Sequence, residues 1–146
     1  MRSNPALPDL LVAEDDPNDL YLLQAALERA DIRNPLTTFG NGTEVIEFLK
    51  RVATIEAGAP RPRLLLLDLH LPQIDGCSVI AWAKKQPALR RLRIVVLSGS
   101  ADHMDRKSAT ALGADLLWLK PADDAALIAE VARLNDAARA LAEAQA

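Results

Sequence analysis

Residues 64–76 read LLLLDLHLPQIDG, and the decisive feature is that four consecutive leucines run straight into Asp68. An apolar run without alternation suits a strand covered on both faces, the condition of a parallel sheet packed between helices. A carboxylate placed directly after such a run is costly if it stays in the core without partners. Asp68 therefore either marks the residue at which the strand leaves the core or is kept at the strand's end for chemistry.

Working outward, the chain alternates between short apolar runs and helical patterns. DLLVA at 9–13 stops at the acidic cluster EDDPND at 14–19. There Asp16 can cap a helix, Pro17 fits its first position, Asp19 complements its first turn, and Leu20, Leu23, Leu27 and Ala30 recur at helical spacing. PLTTF at 35–39 is polar in its middle and reads as an edge strand. NGTEVIEFLKRVA at 41–53 offers Asn41 as a cap with Glu44 three residues on, then Val45, Leu49 and Val52 on one face. EAGAPRPR at 56–63 returns the chain to the central run.

After it, DGCSVIAWAKKQ at 75–86 predicts a helix stopped before Pro87. RIVVLSGS at 93–100 is a fourth strand, and DHMDRKSATALGA at 102–114 a helix with Gly113 in the left-handed cap position. DLLWLKP at 115–121 is a fifth strand, followed by an Ala-rich helix from about Asp123 towards the end. Five strand-to-helix units imply a parallel sheet with helices on both faces, because parallel strands need crossover connections.

Composition narrows the function classes. The 146 residues suit one domain, 1–146, with a core over about 9–136 and an extended last helix. A 50% hydrophobic chain with only 3% aromatics points to an aliphatic, helix-rich interior. The net charge of −3 leaves no electrostatic footprint for nucleic acid or an anionic membrane. Cys77 is the single cysteine, which excludes an intramolecular disulfide and reads as a small residue against the core. Neither a signal peptide nor a membrane-spanning run is present, so the expected location is cytoplasmic. RRLR at 90–93 reads as a solvated turn before a strand, and His103 and Met104 receive no role.

In an open parallel α/β sheet, sites form outside the carboxyl ends of the strands. Those ends carry Glu14 and Asp15, Asp68, Ser98 and Lys120. Singly, each has an ordinary reading: Asp15 could cap, Ser98 could turn the chain, and Lys120 could be a surface lysine. Their joint placement at four strand ends makes the case. Neighbouring carboxylates need a compensating cation, and an all-oxygen set suits Mg²⁺ better than zinc. Asp can attack phosphorus to give an aspartyl-phosphate, Lys120 would offset charge on the phosphoryl oxygens, and the Ser98 hydroxyl could donate to one of them.

LLVAEDDPND, LLLLDLHLPQIDG, VVLSGS and LKP, in that order at successive strand ends, resemble the response-regulator receiver domain of two-component signalling from about Leu10 to the last helix. The resemblance implies a flavodoxin-like, doubly wound five-stranded parallel sheet of order 2-1-3-4-5. It implies that Asp68 accepts a phosphoryl group from a histidine kinase's phosphohistidine. Mg²⁺ would then be held by Asp15 directly, Glu14 through water, Asp68, and the backbone carbonyl of His70, with Ser98 as the switch hydroxyl and Lys120 facing the phosphate. Such a protein signals through changed protein contacts and catalyses only its own phosphotransfer and dephosphorylation. VAEDDPND and LDLHLPQIDG look most similar to the stand-alone regulators that serve phytochrome-type kinases.

Two positions depart from the family pattern. The aromatic residue common two positions after the start of the fifth strand is here Leu117, beside Trp118, which argues against the usual aromatic switch. Ala122 follows Lys120 and Pro121 where a bulky residue is frequent. In ALIAEVARLNDAARALAEAQA at 126–146 there is no basic recognition helix and no output domain, but Leu127, Val131, Leu134, Ala138 and Leu141 form a heptad-like stripe. A helix of about 20 residues spans about 30 Å against about 17 Å for a strand, so its end should project and support a homodimer.

Three other functions compete with this reading. A small Asp-nucleophile phosphohydrolase resembles an Asp-x-Asp pattern, whereas His70 stands two after Asp68. A flavodoxin-like cofactor carrier needs a Ser/Thr/Gly loop where this chain is acidic. A receiver-shaped interaction module that is never phosphorylated is opposed by the presence of both Asp68 and Lys120.

Overall fold

Each of the five apolar runs forms a strand: β1 (Leu10–Ala13), β2 (Leu36–Phe39), β3 (Leu64–Asp68), β4 (Arg93–Ser98) and β5 (Leu116–Leu119). They alternate with α1 (Pro17–Arg29), α2 (Gly42–Ala53), α3 (Gly76–Lys84), α4 (His103–Leu112) and α5 (Asp124–Ala144). The computed structural model describes residues 9–54, 62–98, 103–119 and 124–144. All four strand pairings are parallel and the order is β2-β1-β3-β4-β5. No helix among the described residues is long and apolar enough to cross a membrane.

The run of leucines has a direct structural explanation. β3 is the middle strand, and its side chains point alternately to the two sides of the sheet. Leu65 and Leu67 enter one core with Val45, Leu49, Val79 and Ile80 from α2 and α3. Leu64 and Leu66 enter the other with Leu23 and Leu27 of α1 and Val131 of α5. All four leucines are at most 1% exposed, and burying each contributes roughly 1.5–3 kcal/mol. β2 lies at the edge, with Thr38 exposed and Thr37 half-buried, as its polar middle requires.

Three helices open on capped turns at the edge where the strands end. The Asp16 carboxylate accepts from the N–H groups of Asn18 and Asp19, the Asn41 side chain from Glu44, and Asp75 from Ser78. Asn41 caps α2 as predicted, but the Glu44 carboxylate accepts from the Gly40 N–H at 3.3 Å, one residue before the cap, and so ties down the turn before α2. At the other end of α4, Gly113 takes φ +110, the left-handed conformation expected there.

Some local features depart from the sequence reading. Pro87 ends α3 and also starts a separate 3-10 turn, Pro87–Leu89, which buries Leu89. RRLR is only partly a solvated turn: Arg90 and Arg91 are exposed, but Leu92 is buried, and Arg93 Nε donates to Glu130 Oε1 at 2.9 Å. Glu130 is 4% exposed and meets Arg133 at 3.1 Å, so two guanidinium groups neutralise one buried carboxylate. In α5, Val131 is buried and Leu134 packs against the same core, while Leu127, Ala138 and Leu141 have side chains outside the described set. Beside them Asn135 and Asn34 exchange hydrogen bonds of 2.7 and 2.9 Å in the interior.

Gln73, in the loop after β3, adopts φ +69 while Ile74 N–H donates to the Pro72 carbonyl at 2.9 Å. This is a γ-turn with a non-glycine residue at its strained centre. Gln73→Gly should raise stability by about 0.5–1 kcal/mol, the left-handed penalty relieved less the entropy glycine adds to the unfolded chain. Thermal denaturation followed by circular dichroism should show Tm rising by about 2–4 °C; an unchanged or lower Tm would contradict a strained turn.

Candidate functional site

Sheet register brings the acids together. Ala13 pairs with Leu67, so Glu14 leaves β1 level with Asp68 at the end of β3. Glu14 extends the β1 pairing by donating its N–H to the Phe39 carbonyl at 3.1 Å. Carboxylate oxygens of Glu14, Asp15 and Asp68 lie within 4.8 Å of one another. Glu14 is 5% and Asp68 9% exposed, while Asp15 faces solvent. The cap of α1 is Asp16, which leaves Asp15 to the cluster and resolves the competition between those two neighbours.

The site is tied to its surroundings by backbone groups. Asp16 N–H points at Glu14 Oε2 over a long 3.4 Å. His70 N–H donates to Asp68 Oδ1 at 3.0 Å, which is the bond an Asp makes when it turns the chain two residues on. Asp68 therefore shapes the turn leaving the core, the first of the two roles that the sequence left open, and its carboxylate lies at the rim beside Glu14 and Asp15. The His70 imidazole is exposed, and its backbone faces the acid. This amide contact was absent from the sequence reading, although an Asp two residues before it at a strand end is the local signal for one.

Ser98 closes β4 opposite Leu119, one step beyond the Asp68–Leu97 pair, so its backbone reaches the same edge. Its hydroxyl, together with Lys120 and Ala122, lies outside the described residues. Leu117 is half-buried against the core that holds Leu65 and Leu67. Cys77 is half-buried against that core too, in keeping with a packing role.

Three carboxylates this close, two of them largely withdrawn from water, repel one another unless a proton or a cation intervenes. The donors are all oxygen, with no imidazole or thiolate among them, so the set fits a hard divalent ion such as Mg²⁺ or Mn²⁺ and not zinc. It is the one cluster of three such side chains found among the described residues.

A doubly wound sheet of this strand order with an acid cluster at the β1 and β3 ends is the architecture expected of a receiver domain, and the chain belongs to the response regulator receiver domain family, whose profile matches residues 10–132. It is 40% identical over 103 residues to response regulator Rcp1 of Synechocystis sp. (strain ATCC 27184 / PCC 6803 / Kazusa), covering 70% of this chain and 69% of that protein. The crystal structure of the phosphorylated cyanobacterial phytochrome response regulator RcpA superposes with a TM-score of 0.68 at 31% identity, covering 94% of this chain and 93% of that one. The Mn(2+)-bound form of response regulator Rcp1 gives 0.67 at 32% identity, covering 85% and 88%.

Mutual repulsion in the cluster has a measurable consequence. Asp68→Asn keeps an acceptor for the His70 N–H but removes one of the clustered charges. Without divalent cations the variant should be more stable than the parent by about 1 kcal/mol, the Coulomb energy of charges about 5 Å apart in a wet, partly buried setting. Added Mg²⁺ should raise the parent's Tm more than the variant's, since a ligand of the native state stabilises in proportion to its binding. Melting curves in EDTA and in excess Mg²⁺ measure both; a variant less stable in EDTA would refute the repulsion.

Proposed function

We propose that the protein is a response regulator whose Asp68 accepts a phosphoryl group from a histidine kinase in a Mg²⁺-dependent reaction. The observation that carries this reading is the oxygen-only cluster of Glu14, Asp15 and Asp68, with Asp68 at the rim and braced by the His70 amide. Glu14, Asp15, Asp68 and the His70 carbonyl would hold Mg²⁺, which neutralises charge on the acids and the incoming phosphoryl oxygens.

An Asp68 oxygen attacks phosphorus, the P–N bond of the phosphohistidine breaks, and its electron pair stays on the imidazole nitrogen. The result is an acyl phosphate on Asp68 and a free histidine on the kinase. Lys120 pairs with a phosphoryl oxygen, and the Ser98 hydroxyl donates to another, drawing the end of β4 towards the site. With Leu117 packed into the core instead of an aromatic ring, the change is passed to partners by repacking along β4 and β5.

The kinase is of phytochrome type, a reading supported by the likeness to RcpA and Rcp1. Output is a changed protein–protein contact, with no turnover of an external substrate, and the chain forms one receiver domain over 1–146 that acts in the cytoplasm. Acetyl phosphate with Mg²⁺ should add one phosphate-sized mass to the intact protein, and that gain should vanish in Asp68→Asn or without Mg²⁺. A gain that persists in the variant would place the acceptor elsewhere.

The reading includes a homodimer through α5 and β5, because α5 carries 21 residues beside a strand of four. Light scattering at micromolar concentration should return twice the chain mass, at least after phosphorylation. A monomer under both conditions would remove the dimer from the proposal.

A further inference from the structure

The loop from β3 to α3 is gripped from a second side by a residue that the site chemistry does not use. Gly42, the buried first residue of α2, donates its N–H to the Pro72 carbonyl at 3.2 Å. The same carbonyl accepts from Ile74 N–H at 2.9 Å, closing the γ-turn over Gln73. Position 42 has no room for a side chain: a Cβ there would lie 2.7 Å from the Ile74 carbonyl carbon and 2.8 Å from the Ile74 Cβ, and would collide with the carbonyl oxygen. Much of the obstacle is backbone, so a rotamer change cannot clear it.

The other end of the loop is held in a similar way. Gly76 N–H donates to the Leu69 carbonyl at 2.9 Å, and a Cβ at 76 would stand 2.6 Å from the Asp68 carbonyl oxygen and 2.6 Å from Leu69 Cα. His70 lies between these two anchors, with Asp68 and Leu69 fixed by Gly76 and residues 72–74 seated on Gly42. Leu69 and Leu71, 5% and 7% exposed, and the half-buried Ile74 add core contacts to the same segment.

We infer that Gly42 is a positioning residue for the metal centre: by letting the first turn of α2 seat on Pro72–Ile74, it fixes the His70 backbone opposite Asp68. The inference rests on the reading of Glu14, Asp15, Asp68 and His70 as the Mg²⁺ ligands. Any side chain at 42 displaces the Ile74 carbonyl, and the displacement runs back through Pro72 and Leu71 to His70. A purely structural glycine would cost stability and leave the ion's affinity alone.

An NMR titration with Mg²⁺, with no phosphoryl donor present, separates these cases for the parent chain, Gly42→Ala and Val52→Ala. Val52 is 4% exposed in the last turn of the same helix, and its truncation supplies a loss of stability far from the loop. Gly42→Ala should weaken Mg²⁺ binding about tenfold, the lower end of what groups that orient metal ligands contribute, while Val52→Ala stays within about twofold of the parent. Equal affinity in Gly42→Ala and the parent overturns the positioning role while the site reading stands; a parent that binds no Mg²⁺ overturns both. Should Gly42→Ala fail to fold, exchange of the Gly42 amide in the parent decides the matter. Mg²⁺ slows every amide that exchanges through global unfolding, so reciprocal coupling requires the Gly42 amide to slow severalfold more than the Val52 amide, and equal slowing of the two refutes the inference.

Discussion

The structure depends on β3 being buried on both faces up to its last residue. That constraint explains four leucines in succession, two for each core, and it determines where the chain can put a charge. Asp68 is the first position along β3 at which a polar group can reach solvent while its backbone still belongs to the ladder. Parallel pairing then does the rest, because β1 enters register with β3 residue by residue and must deliver Glu14 beside Asp68. The acid cluster is thus a product of sheet register, and moving β1 by one residue would place Ala13 or Asp15 there instead.

Holding those acids together works against folding, and the protein meets the cost with backbone contacts. Asp68 receives the His70 amide, Glu14 a weaker contact from Asp16, and α1 begins next to the cluster with its dipole directed favourably for anions. None of these cancels a like charge, which is why a cation has a thermodynamic reason to bind. The strained Gln73 turn belongs to the same arrangement. It occurs in the loop that carries His70, where strain can persist because core packing and the glycine contacts over-determine the loop.

Much of this was legible in the sequence because it is written in local patterns. The leucine run gave the central strand, the polar middle of β2 its edge position, and Asp16–Pro17 and Asn41–Glu44 the starts of two helices, all without reference to distant residues. Glu14, Asp15 and Asp68 could be grouped because strand ends in a parallel sheet share one rim. What escaped was the pairing of single residues far apart in the chain. Arg93 meets Glu130 across 37 positions, and Asn34 meets Asn135 across 101. Neither pair has a periodicity, and Arg93 in particular was hidden inside a basic run whose ordinary fate is solvent. Gly42 escaped for a related reason: its closeness to Ile74 is a property of how two loops meet.

Those distant polar pairs bear on how α5 is oriented. The helix is rich in alanine, and small side chains pack almost equally well after a slide or a rotation, so apolar contact alone specifies its position poorly. Glu130 and Asn135 lie on either side of Val131 and Leu134 in sequence, and both are buried. A shift by one residue would strand the Glu130 carboxylate and separate the two asparagine amides, each loss costing on the order of 1–3 kcal/mol. Asn135 is also the point where the helix is tied to the segment between α1 and β2, so whatever its last turns do is done from a fixed base. A surface can register a small change elsewhere in the fold only if its resting position is defined, and these two polar pairs define it for α5.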